Sequence, residues 1–264
     1  PNVAIIGAGI GGVALAVACL HREIPFTLYE RDPAFTTRSQ GYGLTLQQAN
    51  KAIKGLGVFS LEDGVISSKH IVHTPNGKII GEWGNRKWMP SGTKTKSKKS
   101  NIHIARQSLR LALLKQLGGH QTVQWGHQLL EYSETEDNSV ELTFEVKNEI
   151  KKVKADLLVG ADGIRSIVRK ILIGEEATPL RYLGCIVILG ICPLKKLRGL
   201  NNPLLDSATV FQTANGKERI YIMPYDSTSV MWQLSIPMQE KDAEKLSKLG
   251  PSALKKEAII KAQW

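Results

Sequence analysis

Two kinds of residue in the first thirty could grip a dinucleotide: closely spaced glycines and one acid. Residues 7–12 read GAGIGG, between a short apolar run, NVAII, and a helical run, VALAVACL. A second apolar run, FTLYE, ends at Glu30. Gly7 lets the chain turn sharply out of the first strand, and Gly9, lacking a Cβ, lets backbone N–H groups approach a pyrophosphate. Ile10 and Gly11 open the helix, whose N-terminus offers unpaired N–H groups and partial positive charge. Gly12 lets that helix pack closely on the sheet. A carboxylate at position 30 can accept hydrogen bonds from a ribose 2′-OH and would repel a 2′-phosphate. The nucleotide expected here is therefore FAD or NAD rather than NADP. The competing reading, a tight structural turn, leaves the acid unexplained.

Further candidates lie along the chain. Arg106 stands where a strand, IHIA, runs into an amphipathic helix, RQSLRLALLKQLG. A cation is disfavoured at a helix start unless it has an anion to hold, although a surface arginine would look the same. GADGIRS, residues 160–166, follows another apolar strand and precedes a helix. Asp162 is either a ligand-facing acid or an N-cap, and Arg165 is expected to pair with it. Arg31 and Arg38 are candidate anion contacts or solvated loop residues. The six histidines show no metal spacing and are expected to be structural or exposed.

These residues need a frame. The opening is a βαβ unit. A helix is expected from about Leu46 to Leu56, with Leu44 contributing to its apolar face and Gly57 as C-cap. Residues 70–83 read as a hairpin turned at Asn76-Gly77. Residues 122–159 show period-two alternation, with Leu157, Leu158 and Val159 read as another, fully buried strand. From about Thr178 onward strand-like runs dominate, as in CIVILGICPL and SVMWQLSIP, and a charged helical stretch is broken at Gly250-Pro251.

Composition sets limits. The chain has 264 residues, 42% hydrophobic and 22% charged, enough for one large domain or two modest ones. No apolar run reaches membrane-spanning length, and the glycine-punctuated N-terminus is not read as a signal peptide. Cys19, Cys185 and Cys192 are odd in number and not in metal-ligand spacing, which suits buried thiols in a reducing, cytoplasmic compartment. The net charge of +11 favours anionic ligands. Much of the excess is local, in KTKSKKS at 94–100. That run carries no interleaved aromatics, so nucleic acid is not expected as a partner.

GAGIGG with Glu30, Arg106 in ARQSLRLALL, and GADGIRSIVR occur in an order and separation that resembles the FAD-dependent aromatic hydroxylases. These are single-component flavoprotein monooxygenases such as p-hydroxybenzoate and salicylate hydroxylases. The resemblance implies an α/β fold: a Rossmann-like FAD-binding domain, residues 1–70 and 102–177, with a mostly antiparallel substrate domain, 71–101 and 178–264. It implies Glu30 on the adenosine ribose and Arg106 near the pyrophosphate and ribityl chain. Arg38 and Gly43, with Gly41, would lie near the flavin. Asp162 would serve both FAD and the approach of NADPH or NADH, with Arg165 steadying its loop. The chemistry implied is flavin reduction by NAD(P)H, a flavin C4a-hydroperoxide formed with O2, and hydroxylation or epoxidation of a small aromatic substrate. The family's third signature, a Gly-Asp on a later strand-to-helix turn, has no match before Trp264. The expectation is thus a piece lacking the last part of the FAD site, or else a truncated, non-catalytic relative with a binding or scaffolding role.

Overall fold

Val3, Ala4, Ile5 and Ile6 are all buried, as an apolar run must be when strands flank it on both sides and other elements cover both of its faces. The computed structural model describes residues 1–37, 42–84, 101–200 and 202–263. Along the chain come β1 (Val3–Ile6), α1 (Ile10–Leu20), β2 (Phe26–Glu30), β3 (Gly43–Leu46) and α2 (Ala49–Gly55). Next are β4 (Val65–Ser67), β5 (Lys69–His73), β6 (Ile79–Gly84), β7 (Asn101–Ala105) and α3 (Arg106–Gln116). Then follow β8 (Val123–Trp125), β9 (Gln128–Glu134), β10 (Val140–Val146), β11 (Glu149–Ala155), β12 (Leu157–Gly160) and α4 (Ile167–Ile173). The last are β13 (Cys185–Pro193), β14 (Thr209–Ala214), β15 (Arg219–Asp226), β16 (Ser229–Pro237), α5 (Glu240–Lys248) and α6 (Pro251–Lys261).

The chain divides into two compact units. The first comprises residues 1–40, 51–61 and 106–181. Its centre is a parallel sheet in the order β12-β1-β2-β8. Helix α1 buries Val13, Ala16 and Val17 and packs against α3, which buries Leu109, Leu113 and Leu114. An antiparallel sheet, β11-β10-β9, adds a core of Leu129, Leu142 and Phe144, with Phe144 stacked on Tyr29 at 4.5 Å. Leu157, expected to be fully buried, is 51% exposed, because β12 ends the sheet and pairs only with β1 among the described residues.

The second unit comprises residues 41–50, 62–105 and 182–264. A six-stranded sheet, β13-β16-β15-β14-β5-β6, is antiparallel except where β14 runs parallel to β5. A smaller sheet has the order β3-β7-β4. The hairpin at 70–83 forms as β5 and β6. One expectation changes. The segment from 44 to 46 is strand, because its backbone pairs with β7 from Gly43↔Ala105 to Leu46↔Ile102, and the helix starts only at Ala49. Residues 41–50, 62–70 and 102–105 fall in this unit rather than with the glycine turn, because β3 and β4 pair with β7, and β5 with β14. Among the described residues no helix is long and apolar enough to cross a membrane. The basic run at 94–100 lies outside the described residues.

Candidate functional site

The four glycines of the first turn divide by what surrounds them. Gly7 has φ +100°, and a Cβ there would lie 2.6 Å from the Ala161 carbonyl oxygen. A Cβ on Gly12 would lie 1.9 Å from the Gly7 carbonyl oxygen. Those two positions are closed by the protein itself. Gly9 and Gly11 are the opposite: a Cβ on either would meet nothing within 4 Å. Space is left open where a ligand would have to approach the backbone. Helix α1 starts here with Gly9 as N-cap, no side-chain cap and no acid in its first turn. Its first backbone i→i−4 bond runs from Val13 N–H to Gly9 C=O at 3.0 Å. The N–H groups ahead of it, at Ile10, Gly11 and Gly12, have no helical partner.

Glu30 ends β2 beside this turn. Its Oε2 accepts the Ala8 N–H at 2.9 Å, and its Oε1 accepts the Asp32 N–H at 3.1 Å. A carboxylate has about four acceptor positions, so capacity remains for a sugar hydroxyl. Arg31 is exposed in the bend that follows. The chain entering β9 is stitched to the same bend: Gly126 N–H donates to Asp32 C=O and His127 N–H to Glu30 C=O, both at 2.9 Å.

Arg110 is a residue that sequence reasoning missed. Its side chain is 3% exposed, Nε donates to the Ala8 carbonyl at 2.6 Å, and a terminal nitrogen lies 3.8 Å from Glu30 Oε2. The guanidinium carbon lies 5.1 Å from the Phe35 ring centroid and 5.4 Å from that of Trp125. Burial pulls this guanidinium below its ordinary value, while Glu30 and Asp32 pull it back up; an arginine stays charged under such opposed influences. The missed signal was a cation in the middle of the Leu109, Leu113, Leu114 and Leu117 stripe.

Asp162 has one oxygen occupied and one bare. Oδ2 accepts the N–H groups of Ile167 at 2.7 Å and Val168 at 3.3 Å, at the start of α4. Oδ1 is buried with no hydrogen-bond partner among the described residues. The expected pairing of Arg165 with Asp162 does not form; Arg165 is exposed. Ser166 caps α4 by accepting the Arg169 N–H at 3.0 Å, and Arg169 holds the loop by donating to the Ile164 carbonyl at 2.6 Å. Arg169, in the first turn of α4, reaches back over 163–164.

Arg106 is the first residue of α3 and half-buried. Gly43 belongs to the second unit, buried in β3, with its N–H donating to Met231 Sδ at 3.1 Å. A Cβ there would meet the Ile104 carbonyl oxygen and the Tyr225 ring at an ordinary 3.5 Å, so packing within that unit does not demand glycine. Arg38 and Gly41 lie outside the described residues. Also in the second unit, a groove of about 930 Å³ includes Leu194, Lys195, Arg198, Thr228 and Ser229, and none of the expected cofactor residues lines it.

In the first unit, then, the open backbone at Gly9 and Gly11, the spare lone pairs of Glu30 and the bare Oδ1 of Asp162 fit the diphosphate and hydroxyl chemistry of a bound FAD. A family profile described as FAD binding domain matches residues 1–259. A protein of Arthroderma benhamiae named as a probable FAD-dependent monooxygenase is 30% identical over 190 residues, 69% of this chain and 41% of its own length. The FAD-dependent monooxygenase pigN of Monascus ruber is 28% identical over 204 residues, 74% of this chain and 45% of its own length. The chain thus spans less than half the length of these curated relatives. Among solved structures, 2,6-dihydroxypyridine-3-hydroxylase of Arthrobacter nicotinovorans superposes with a TM-score of 0.72 at 18% identity, over 90% of this chain and 57% of that one. The Klebsiella pneumoniae protein HpxO, in complex with FAD and uric acid, gives 0.72 at 20% identity, over 97% of this chain and 64% of that one. By the extent of the profile match, the chain belongs to the FAD-binding-domain family, whose relatives here are FAD-dependent monooxygenases.

Proposed function

We propose that this chain is the FAD-holding part of an NAD(P)H-dependent monooxygenase acting on a small aromatic substrate. The observation that carries the reading is the contrast within GAGIGG: Gly7 and Gly12 are closed by the protein, while Gly9 and Gly11 face open space beside the Glu30 carboxylate. In this reading the amides at the start of α1 hold the diphosphate, where the helix end places partial positive charge. The free lone pairs of Glu30 hold the adenosine ribose. Asp162 Oδ1 accepts a hydroxyl of the cofactor, and Oδ2 keeps the loop tied to α4 meanwhile. Arg106 adds positive charge for the pyrophosphate. The exposed Arg165, beside the exposed Ile164, offers an anion contact to an arriving nicotinamide nucleotide. Bound FAD supplies the electron storage and O2 activation that no side chain has.

The test is spectroscopic. The purified chain, supplied with FAD and desalted, is expected to be yellow, to bleach with NADH or NADPH, and to recover its colour in air. A yellow protein that NAD(P)H does not bleach would reduce the reading to FAD binding without turnover, the scaffold alternative. A colourless protein would remove both.

A further inference from the structure

We infer that Arg110 is a positioning residue for the cofactor, acting through Ala8 and Glu30 on the glycine turn and the ribose acceptor. The inference rests on the reading of the turn as an FAD site. Its geometry is a closed loop of contacts around one residue. Ala8 lies between Gly7 and Gly9, and both of its backbone groups are taken by side chains from other elements. Glu30, from β2, accepts its N–H at 2.9 Å, and Arg110, from α3, donates to its C=O at 2.6 Å. The loop closes where Arg110 comes within 3.8 Å of the same Glu30 oxygen.

Each contact bears on an anion at the turn. A carbonyl oxygen directed at a diphosphate would repel it; the bond from Arg110 keeps the Ala8 carbonyl turned inward. Glu30 places a negative charge beside the phosphates, and Arg110, at 3% exposure, offsets it across a poorly screened gap. The Phe35 and Trp125 rings, 5.1 and 5.4 Å from the guanidinium carbon, fix its plane and keep water from it. With the peptide groups on both sides of Ala8 held, the amides of Gly9 to Gly11 are set before any ligand arrives, so binding has less ordering to offset.

A merely structural arginine would affect folding and leave the ligand terms alone. The test therefore measures FAD affinity by flavin fluorescence and thermal unfolding without FAD, in Arg110→Met, Arg110→Lys, Glu30→Gln and the two double variants. Arg110→Met is expected to weaken FAD binding about ten- to a hundredfold, in line with 1.4 kcal/mol per tenfold. Arg110→Lys should recover only part of this, since an ammonium keeps the charge but lacks the planar fork that spans Ala8 and Glu30. Glu30→Gln should cost at least fivefold less affinity in the Arg110→Met background than in the native chain, because the carboxylate it removes there is already misplaced and uncompensated. If Arg110→Met unfolds, the same comparison is made in Arg110→Lys. Native FAD affinity in the Arg110 variants, or an equal cost of Glu30→Gln in every background, overturns the inference. Failure of the native chain itself to bind FAD would instead overturn the functional reading on which it rests.

Discussion

The Gly12 backbone sits so close to the Gly7 carbonyl that a Cβ on Gly12 would be only 1.9 Å from its oxygen. A gap that small cannot be relieved by a side-chain rotation, because both partners are backbone. Gly12→Ala is therefore expected to destabilise the first unit by about 3 kcal/mol or more, at the upper end of single-site effects. Gly9→Ala meets nothing within 4 Å and should change stability without ligand by less than about 1 kcal/mol, while lowering FAD affinity. Thermal unfolding with and without FAD separates the two. Similar Tm losses without ligand for both variants would show that Gly9 is as hemmed in as Gly12.

Glu30 gives a second contrast. Its carboxylate already holds the Ala8 and Asp32 amides, so Glu30→Ala removes both a ribose acceptor and a strut of the turn. FAD binding should weaken by about 1–3 kcal/mol, the range for hydrogen bonds to a charged group. Glu30→Gln keeps one acceptor oxygen and should lose less. Titrations in which both variants bind FAD like the native chain would take position 30 out of the site.

Asp162 combines a structural and a chemical task on separate oxygens. Asp162→Ala frees the Ile167 and Val168 amides, which should lower stability by about 0.5–2 kcal/mol, as loss of a helix cap does. Asp162→Asn keeps an oxygen for those amides and can turn its NH2 toward the cofactor side. It should stay close to native in Tm while FAD binding and flavin reduction by NAD(P)H fall. Stopped-flow reduction traces that overlay those of the native chain for both variants would confine Asp162 to capping α4.

The local frame of the candidate site was legible because strand, turn, helix and terminal acid are contiguous in the sequence. Arg110 was harder: its partners are Ala8, 102 residues away, and two rings far apart in the chain, Phe35 in a turn and Trp125 at the end of β8. Arg165 was expected to steady the DG loop, and Arg169 donates to the Ile164 carbonyl instead; a DG turn followed by a helix does not reveal which arginine reaches back, which depends on the residue that caps the helix, here Ser166. The placement of residues 62–70 was not legible for the same reason of distance. β5 reads as half of a local hairpin, yet it also pairs with β14, from Thr209↔Lys69 to Thr213↔His73, a pairing that no local pattern encodes.

His103 gives a prediction about pH. It is fully buried on β7, its Nδ1 lies 3.0 Å from Thr45 Oγ1, and its Nε2 has no partner among the described residues. Burial, with the His70 ring centroid 6.5 Å away, lowers its pKa to about 4. His70, stacked on Trp83, is lowered as well, also by burial. An unfolded histidine titrates near 6.5, so between about pH 6.5 and 4 the unfolded chain holds a proton that the folded chain refuses. Unfolding is then favoured as pH falls through that window, and the neutral ring's stabilisation is complete only above about pH 6.5. A difference of about 2.5 units corresponds to at most about 3 kcal/mol. His103→Asn, which can keep the bond to Thr45 without a titrating ring, should flatten most of the loss between pH 6.5 and 4 in chemical denaturation, with His70 supplying the remainder. A native chain with equal stability at pH 4.5 and 7, or a variant with the same slope as the native chain, would mean that His103 takes up its proton in the fold as readily as in water.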